Sequence, residues 1–180
     1  MIDAGAGDGH EVLRLARRNA RTLAIAVEPA ASSLGEAARR AAAKPARGGC
    51  PNAIFVVSAV EAWPDEARGL ADLVTVHYPW GSLLRGVVGA DRLVLDGLAR
   101  MLAPGGRFEA LFSIVERDGL DLPCAEVVGE AYRNAGLELI EHRPATSEEI
   151  AAVPSTWARR LGAGRTRPVW RIVAVLDSTA

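Results

Sequence analysis

The segment Asp3-Ala-Gly5-Ala-Gly7-Asp8-Gly9 lies between a short apolar stretch and the start of a helical pattern. Gly5 and Gly7 let a backbone turn tightly and approach a ligand closely, because a Cβ at either position would obstruct both. Dinucleotide-binding folds use similar turns, but here the spacing departs from G-x-G-x-x-G and Asp3 precedes the first glycine by two. Glu28 ends the next apolar segment, where an acidic side chain can accept hydrogen bonds from both hydroxyls of a ribose. Glu61 closes the third in Ser58-Ala59-Val60-Glu61, and on residue type alone a helix-capping acid is an equal reading. Trp80 stands in His77-Tyr78-Pro79-Trp80-Gly81-Ser82-Leu83-Leu84-Arg85-Gly86, at the carboxyl end of the fourth strand, where open α/β sheets place their ligands. Trp157 lies in Pro154-Ser155-Thr156-Trp157-Ala158-Arg159-Arg160-Leu161, ahead of the final strand. Two indoles on facing segments could sandwich a flat base, with stacking worth about 1–3 kcal/mol per base. Most tryptophans simply fill cores, and Trp63 and Trp170 are assigned there.

These residues must be held by alternating strands and helices. Met1–Asp3 reads as the stub of a strand, and His10–Asn19 places Val12, Leu13, Leu15 and Ala16 at helical spacing. Thr22–Glu28 is an apolar strand, Ala31–Ala43 a helix, and Lys44–Asn52, with two glycines and two prolines, a loop. Ile54–Ser58 and Asp72–Tyr78 are further strands, and Asp91–Leu102 is an amphipathic helix. Pro104-Gly105-Gly106 is expected to turn the chain into a strand over Arg107–Val115. A helix near Ala125–Ala135, a strand Leu137–His142, a helical insert around Ser147–Leu161 and a strand Val169–Leu176 follow. This alternation predicts right-handed crossovers and a mostly parallel sheet covered on both faces, in a single α/β domain.

The Asp3-x-Gly5-x-Gly7 pattern resembles the first motif of class I methyltransferases, whose loop holds the methionine part of S-adenosylmethionine. Many amino methyltransferases carry Asn/Asp-Pro-Pro-aromatic after the fourth strand, to accept hydrogen bonds from an exocyclic amine; this chain has no such acid or amide and offers Trp80 instead. Three pieces are more specific: Ala43-Lys44-Pro45-Ala46-Arg47-Gly48-Gly49, Pro79 to Gly86, and Ser155 to Leu161 resemble the kanamycin–apramycin resistance (Kam) methyltransferases. The likeness runs from residue 2 to about residue 165 and is weaker over 110–150. It implies a Rossmann-like, seven-stranded sheet with helices on both faces and an antiparallel last strand. The chain starts two residues before Asp3, so the first strand is expected to be truncated against the usual five or six residues.

The same resemblance implies methyl transfer from S-adenosylmethionine to N1 of adenine 1408 of 16S rRNA, within the assembled 30S subunit. Asp3, Gly5, Gly7, Glu28, Val60, Glu61, Tyr78, Pro79, Trp80, Ser82 and Thr156 would hold the cofactor, Val60 or Glu61 at its adenine. Trp80 and Trp157 would grip the flipped target base, with Ser82 shaping the pocket beside them, and no metal is expected.

A net charge of −1 conceals two basic segments. Arg14 to Arg47 holds eight basic residues against Glu28 and Glu36, and Ser155 to Arg171 holds five arginines and no acid. Solvated helix faces would account for them; so would a phosphate-binding patch. On the second reading Arg39, Arg40, Lys44 and Arg47, with Arg159, Arg160, Arg165 and Arg167, dock on folded rRNA without reading its sequence. No apolar run approaches the roughly 20 residues of a membrane helix. Cys50 and Cys124 share no metal-type spacing, and a monomer acting in a reducing cytoplasm, without membrane or DNA partners, is expected. The rival functions are a tRNA guanine-N7 methyltransferase, a small-molecule methyltransferase, and a non-catalytic relative that binds RNA or cofactor.

Overall fold

Ile2–Ala4 (β1) is only three residues long, yet it occupies the middle of a seven-stranded sheet and is buried throughout. The computed structural model describes residues 1–153 and 167–178. Around β1 are Ala24–Val27 (β2), Ala53–Val56 (β3), Ala71–His77 (β4), Leu102–Phe112 (β5), Leu137–Pro144 (β6) and Trp170–Leu176 (β7), in the order β3-β2-β1-β4-β5-β7-β6. Strands β1 to β5 are parallel where they pair, and β7 runs antiparallel to both β5 and β6. The expected sheet, with its reversed last strand and short first one, is therefore present. Because the chain steps outward from β1 to β3 and then returns to β4, the connections leaving β1 and β4 diverge and open a crevice at the carboxyl ends of the strands.

The helices are His10–Arg18 (α1), Ala31–Ala41 (α2), Gly81–Val87 (α3), Arg92–Met101 (α4), Ala125–Asn134 (α5) and Ser147–Ala152 (α6). Alternation along β2 shows why both faces are covered. Ala24 and Ala26 join Val12, Leu13 and Ala16 of α1 and Leu34 and Ala37 of α2. Ile25 and Val27 point the other way, into the larger core with Leu84, Leu95, Leu98, Val128 and Tyr132 from α3, α4 and α5. Within that core Phe108 and Tyr132 meet with ring centroids 6.0 Å apart, and the buried Tyr132 hydroxyl donates to the Val87 carbonyl at 2.7 Å. Asp91 caps α4, its carboxylate accepting from the Leu93 and Val94 amides. Gly97 of α4 lies so close to the Val60–Ala62 turn that a Cβ there would meet the Val60 carbonyl oxygen at 2.5 Å.

Three sequence expectations need correction. Pro104-Gly105-Gly106 does not precede its strand: β5 already begins at Leu102, and the five-residue step from Leu102 to Arg107 opposes a two-residue step from Ala71 to Leu73 in a bulge. A Cβ on Gly106 would meet carbonyl oxygens of Ala103 and Ala71 at 2.7 and 2.8 Å, so glycine lets the bulge close on its neighbour. The helix α3 was not anticipated, since its seven residues follow a proline–tryptophan pair and carry two glycines. Trp63 is core, its indole N–H donating to the Ala67 carbonyl at 2.9 Å, but Trp170 is only half-buried and stacks on His142 at 5.4 Å.

On the α1/α2 side of the sheet a charged network ties α6 down. Arg171 of β7 reaches Glu109 at 3.0 Å, Glu141 at 3.2 Å and Glu149 of α6 at 3.3 Å; Arg143 reaches Glu141 at 2.8 Å and Glu149 at 2.7 Å. Glu149 also closes a capping box with Thr146. The Arg143 guanidinium, followed by the Thr146 amide, holds the Glu149 carboxyl at about 2, below its ordinary 4.5. A carboxylate with a depressed folded value stabilises the fold above the ordinary value and loses that contribution as pH falls toward the depressed one. The melting temperature is therefore expected to drop between about pH 4.5 and pH 2, and Glu149→Gln to flatten part of that drop. Identical acid profiles for the two proteins in a thermal melt would contradict the tether.

Candidate active site

The crevice between the β1 and β4 ends is a cleft of about 620 Å³. Its floor is the loop after β1, where Gly5, Gly7 and Gly9 have φ of 72°, 56° and 69°. At Gly5 a side chain is excluded twice over, by the left-handed backbone and by Leu83, whose Cδ2 would lie 2.4 Å from a Cβ. The loop is pinned to β2: the Gly5 and Ala6 amides donate to the Val27 carbonyl at 2.9 and 3.1 Å. Glu28, just beyond β2, accepts from the Gly7 amide at 3.0 Å with one oxygen and from Ala30 at 3.1 Å with the other. Each oxygen keeps a second lone pair for a ligand hydroxyl.

Asp3 is 4% exposed, and its Oδ1 accepts from the Thr75 hydroxyl at 2.9 Å. His77 Nδ1 lies 3.6 Å from the same oxygen. Tyr78 has a φ of 52°, and it alone among the described non-glycine residues has a positive value. Its amide donates to the Leu111 carbonyl at 2.7 Å, and its ring is buried with Leu111 and Val169 beside Ile150 and Val153. Burial pushes its phenol above the ordinary 10. This strained turn, costing about 1–3 kcal/mol, sends Pro79 and Trp80 back across the cleft mouth. Trp80 is 73% exposed. Ser82 follows in the first turn of α3, and Val60 and Glu61 line the opposite wall. Glu61 does not close β3, which ends at Val56; it lies in the Val60–Ala62 turn.

The lining is acidic. Asp3, Asp8, Glu11, Glu28 and Glu61 contribute to it, with His10 and His77, and no lysine or arginine does among the described residues. Such a cleft repels a pyrophosphate and attracts a cation, which removes the dinucleotide reading and suits a sulfonium. A glycine loop at a sheet switch point, an acid after β2 and an acidic cleft are what a ligand with a ribose and a positive sulfur requires. His77, Asp8 and His10 were not singled out from sequence, although the first two stand inside motifs that were and His10 directly follows one.

The basic residues are placed elsewhere. Helices α1 and α2 both start at the cleft and carry basic residues in their last turns, Arg17 and Arg18 on α1 and Arg39 and Arg40 on α2, while Arg14 in the middle of α1 pairs with Glu11. The turn holding Lys44 and Arg47 continues from there, and Arg17 donates to the Gly48 carbonyl at 3.4 Å. Arg39, Lys44 and Arg47 are exposed, while Arg40 pairs with Glu36. An 11-residue helix sets this group roughly 16 Å along the flank from the cleft. Arg167 is half-buried, with one guanidinium nitrogen enclosed. Thr156, Trp157, Arg159, Arg160 and Arg165 lie outside the described residues.

Fold and cleft together define a Rossmann-like, S-adenosylmethionine-dependent methyltransferase. The model of the NpmA family, 16S rRNA (adenine(1408)-N(1))-methyltransferase, matches residues 1–176, and the chain belongs to that family. The 16S rRNA (adenine(1408)-N(1))-methyltransferase of Streptoalloteichus tenebrarius is 34% identical over 178 residues, which cover 93% of this chain and 82% of that protein. The crystal structure of the 16S rRNA methyltransferase KamB superposes with a TM-score of 0.85 at 31% identity, covering 98% of this chain and 86% of that one. A mutant of the corresponding enzyme from Catenulisporales acidiphilia, crystallised with cosubstrate SAM, gives a TM-score of 0.82 at 34% identity, covering 98% and 84%. The chain is thus an enzyme, and its cofactor is S-adenosylmethionine.

Proposed function

We propose that this enzyme methylates N1 of adenine 1408 in 16S rRNA of the 30S subunit and thereby confers aminoglycoside resistance, acting as a monomer in the cytoplasm without membrane or DNA partners. The observation that carries this reading is Trp80, a bare indole at the mouth of an acidic cleft that lacks an Asn/Asp-Pro-Pro motif. S-adenosylmethionine supplies the electrophilic methyl group when bound. Asp3, Gly5 and Gly7 hold the methionine part of the cofactor, Glu28 its ribose, and Val60 with Glu61 its adenine. Tyr78, Pro79, Ser82 and Thr156 complete that site.

Adenine N1 offers a lone pair and needs no deprotonation, so no group in the cleft has to act as a general base. The residues' task is to extract the base and aim it. Trp80 takes one face of the purine and Trp157 the other; Trp157 comes four positions after Val153, which lines the cleft, a reach of at most about 14 Å along the chain. As the purine becomes cationic, the indoles favour it by about 0.5–2 kcal/mol. Arg39, Arg40, Lys44 and Arg47 on the flank, with Arg159, Arg160, Arg165 and Arg167, hold the rRNA backbone. Purified enzyme incubated with 30S subunits and S-adenosylmethionine is expected to produce a reverse-transcription stop at adenine 1408. A stop on free tRNA and none on 30S would replace this substrate with the tRNA one.

A further inference from the structure

Thr75 sits in the middle of the sheet, in register with Asp3 of β1 on one side and Glu109 of β5 on the other. Register partners on neighbouring strands point to the same face, so one hydroxyl stands between two carboxylates. The two acids differ in what surrounds them. Glu109 is matched by Arg107 at 2.6 Å and Arg171 at 3.0 Å. Asp3 has no such cation among the described residues. No lysine or arginine lines the cleft with it, Arg14 of α1 is taken by Glu11, and His77 Nδ1 at 3.6 Å is beyond hydrogen-bond reach. The Asp3 carboxylate, 4% exposed, accepts one side-chain hydrogen bond there, from the Thr75 hydroxyl to Oδ1 at 2.9 Å. A hydroxyl has a single proton to give, and the Ile2 carbonyl at 3.5 Å is at the limit of hydrogen-bond length, so the proton goes to Asp3. Asp3 Oδ2 keeps no partner among the described residues, and what little of the side chain is open faces the cleft.

We propose that Thr75 is a positioning residue that fixes the rotation of the Asp3 carboxylate and so turns its second oxygen toward the ammonium group of the cofactor's methionine part. This rests on the assignment of the cleft to S-adenosylmethionine, and it adds which group of the cofactor Asp3 recognises and what aims it. The terminal torsion of an aspartate is soft, and tying one oxygen sets the direction of the other. The tether is itself stiff, because a β-branched side chain in a central strand has few rotamers. A hydroxyl orients the acid without adding charge, so Asp3 keeps its attraction for a cation. An arginine in the same place would cancel that attraction, as Arg171 does for Glu109 on the next strand. Burial strengthens it, since little water reaches Asp3 to screen the charge.

The test is calorimetric titration of the full chain, Thr75→Val and Thr75→Ser with three ligands. They are S-adenosylmethionine, S-adenosylhomocysteine and 5′-methylthioadenosine, which keeps the nucleoside and a thioether but has no amino acid part. Valine keeps the branched strand residue and removes the hydroxyl; serine keeps the hydroxyl. In Thr75→Val the first two ligands are expected to weaken roughly tenfold, and 5′-methylthioadenosine to stay within about twofold. Thr75→Ser is expected to recover most of the loss. Equal weakening of all three ligands would mark a general loosening of the cleft floor and overturn the proposal. So would unchanged affinity for S-adenosylmethionine, or a Thr75→Ser protein as weak as Thr75→Val. Should Thr75→Val fail to fold, a crystal structure of the unmodified protein with S-adenosylhomocysteine gives the second reading. The Thr75 hydroxyl on one Asp3 oxygen and the ligand ammonium on the other is the expected arrangement; absence of either contact would refute it. If the unmodified protein bound none of the three ligands, the cofactor assignment itself would fall.

Discussion

Trp80→Ala is expected to lower the rate of 30S methylation by about 100-fold or more while the protein stays folded. The fold should tolerate the change because the indole is 73% exposed and sits at the start of α3, where its loss opens no cavity. The rate should not, because two contributions vanish together. Stacking on the flipped purine is worth about 1–3 kcal/mol and the contact with the developing cation about 0.5–2 kcal/mol, and each 1.4 kcal/mol is a factor of ten. The second contribution exists only as the methyl arrives, so the loss should fall on kcat more than on KM. Trp80→Phe, which keeps a smaller ring, should recover part of it. The checks are single-turnover methylation of 30S subunits, a thermal melt and calorimetry with S-adenosylmethionine. A variant that melts normally, binds cofactor and methylates at the original rate would remove Trp80 from the base-binding role.

The second large effect is expected at Glu28. Glu28→Ala deletes an acceptor for two ribose hydroxyls and at the same time releases the Gly7 and Ala30 amides. Those amides are at the surface, so water can satisfy them and stability should fall little. Hydrogen bonds to a charged acceptor are worth about 1.5–3 kcal/mol each, so affinity for S-adenosylmethionine should drop on the order of 100-fold. Glu28→Gln should lie between, since an amide accepts with one atom only. Affinity for the two ribose-bearing ligands, cofactor and product, should decline together, since both carry the same ribose. A Glu28→Ala protein with unchanged affinity in calorimetry would place the ribose elsewhere.

Much of this architecture is legible from periodicity. The apolar stretches Met1–Asp3, Thr22–Glu28 and Asp72–Tyr78 mark strands, and the D-x-G-x-G spacing after the first of them marks the ligand loop. Four things were not legible, each for a physical reason. Helix α3 has too few residues and too many glycines for a helical pattern to stand out; tertiary packing of Leu84 and Val87 forms it. The β5 bulge reads as a turn because proline and glycine mark both, and only the partner strand distinguishes them. The left-handed Tyr78 leaves no trace in residue type, since aromatic residues rarely adopt such a φ. Pairing of Asp3 with Thr75 and His77 joins residues more than seventy apart, which local reasoning does not reach. The basic segments were legible as segments, but their collection at the far ends of α1 and α2 followed only from helix direction.

The carboxylates that ring the cleft have a bearing on how deep a nucleic acid can go. A strand descending base-first would bring its own phosphodiesters toward Asp8, Glu11 and Glu61 after a single step, and like charges would halt it there. The uncharged heterocycle passes this filter and the sugar–phosphate chain does not. On the proposed rRNA substrate, one nucleotide at a time would enter, its depth limited by repulsion from the lining carboxylates.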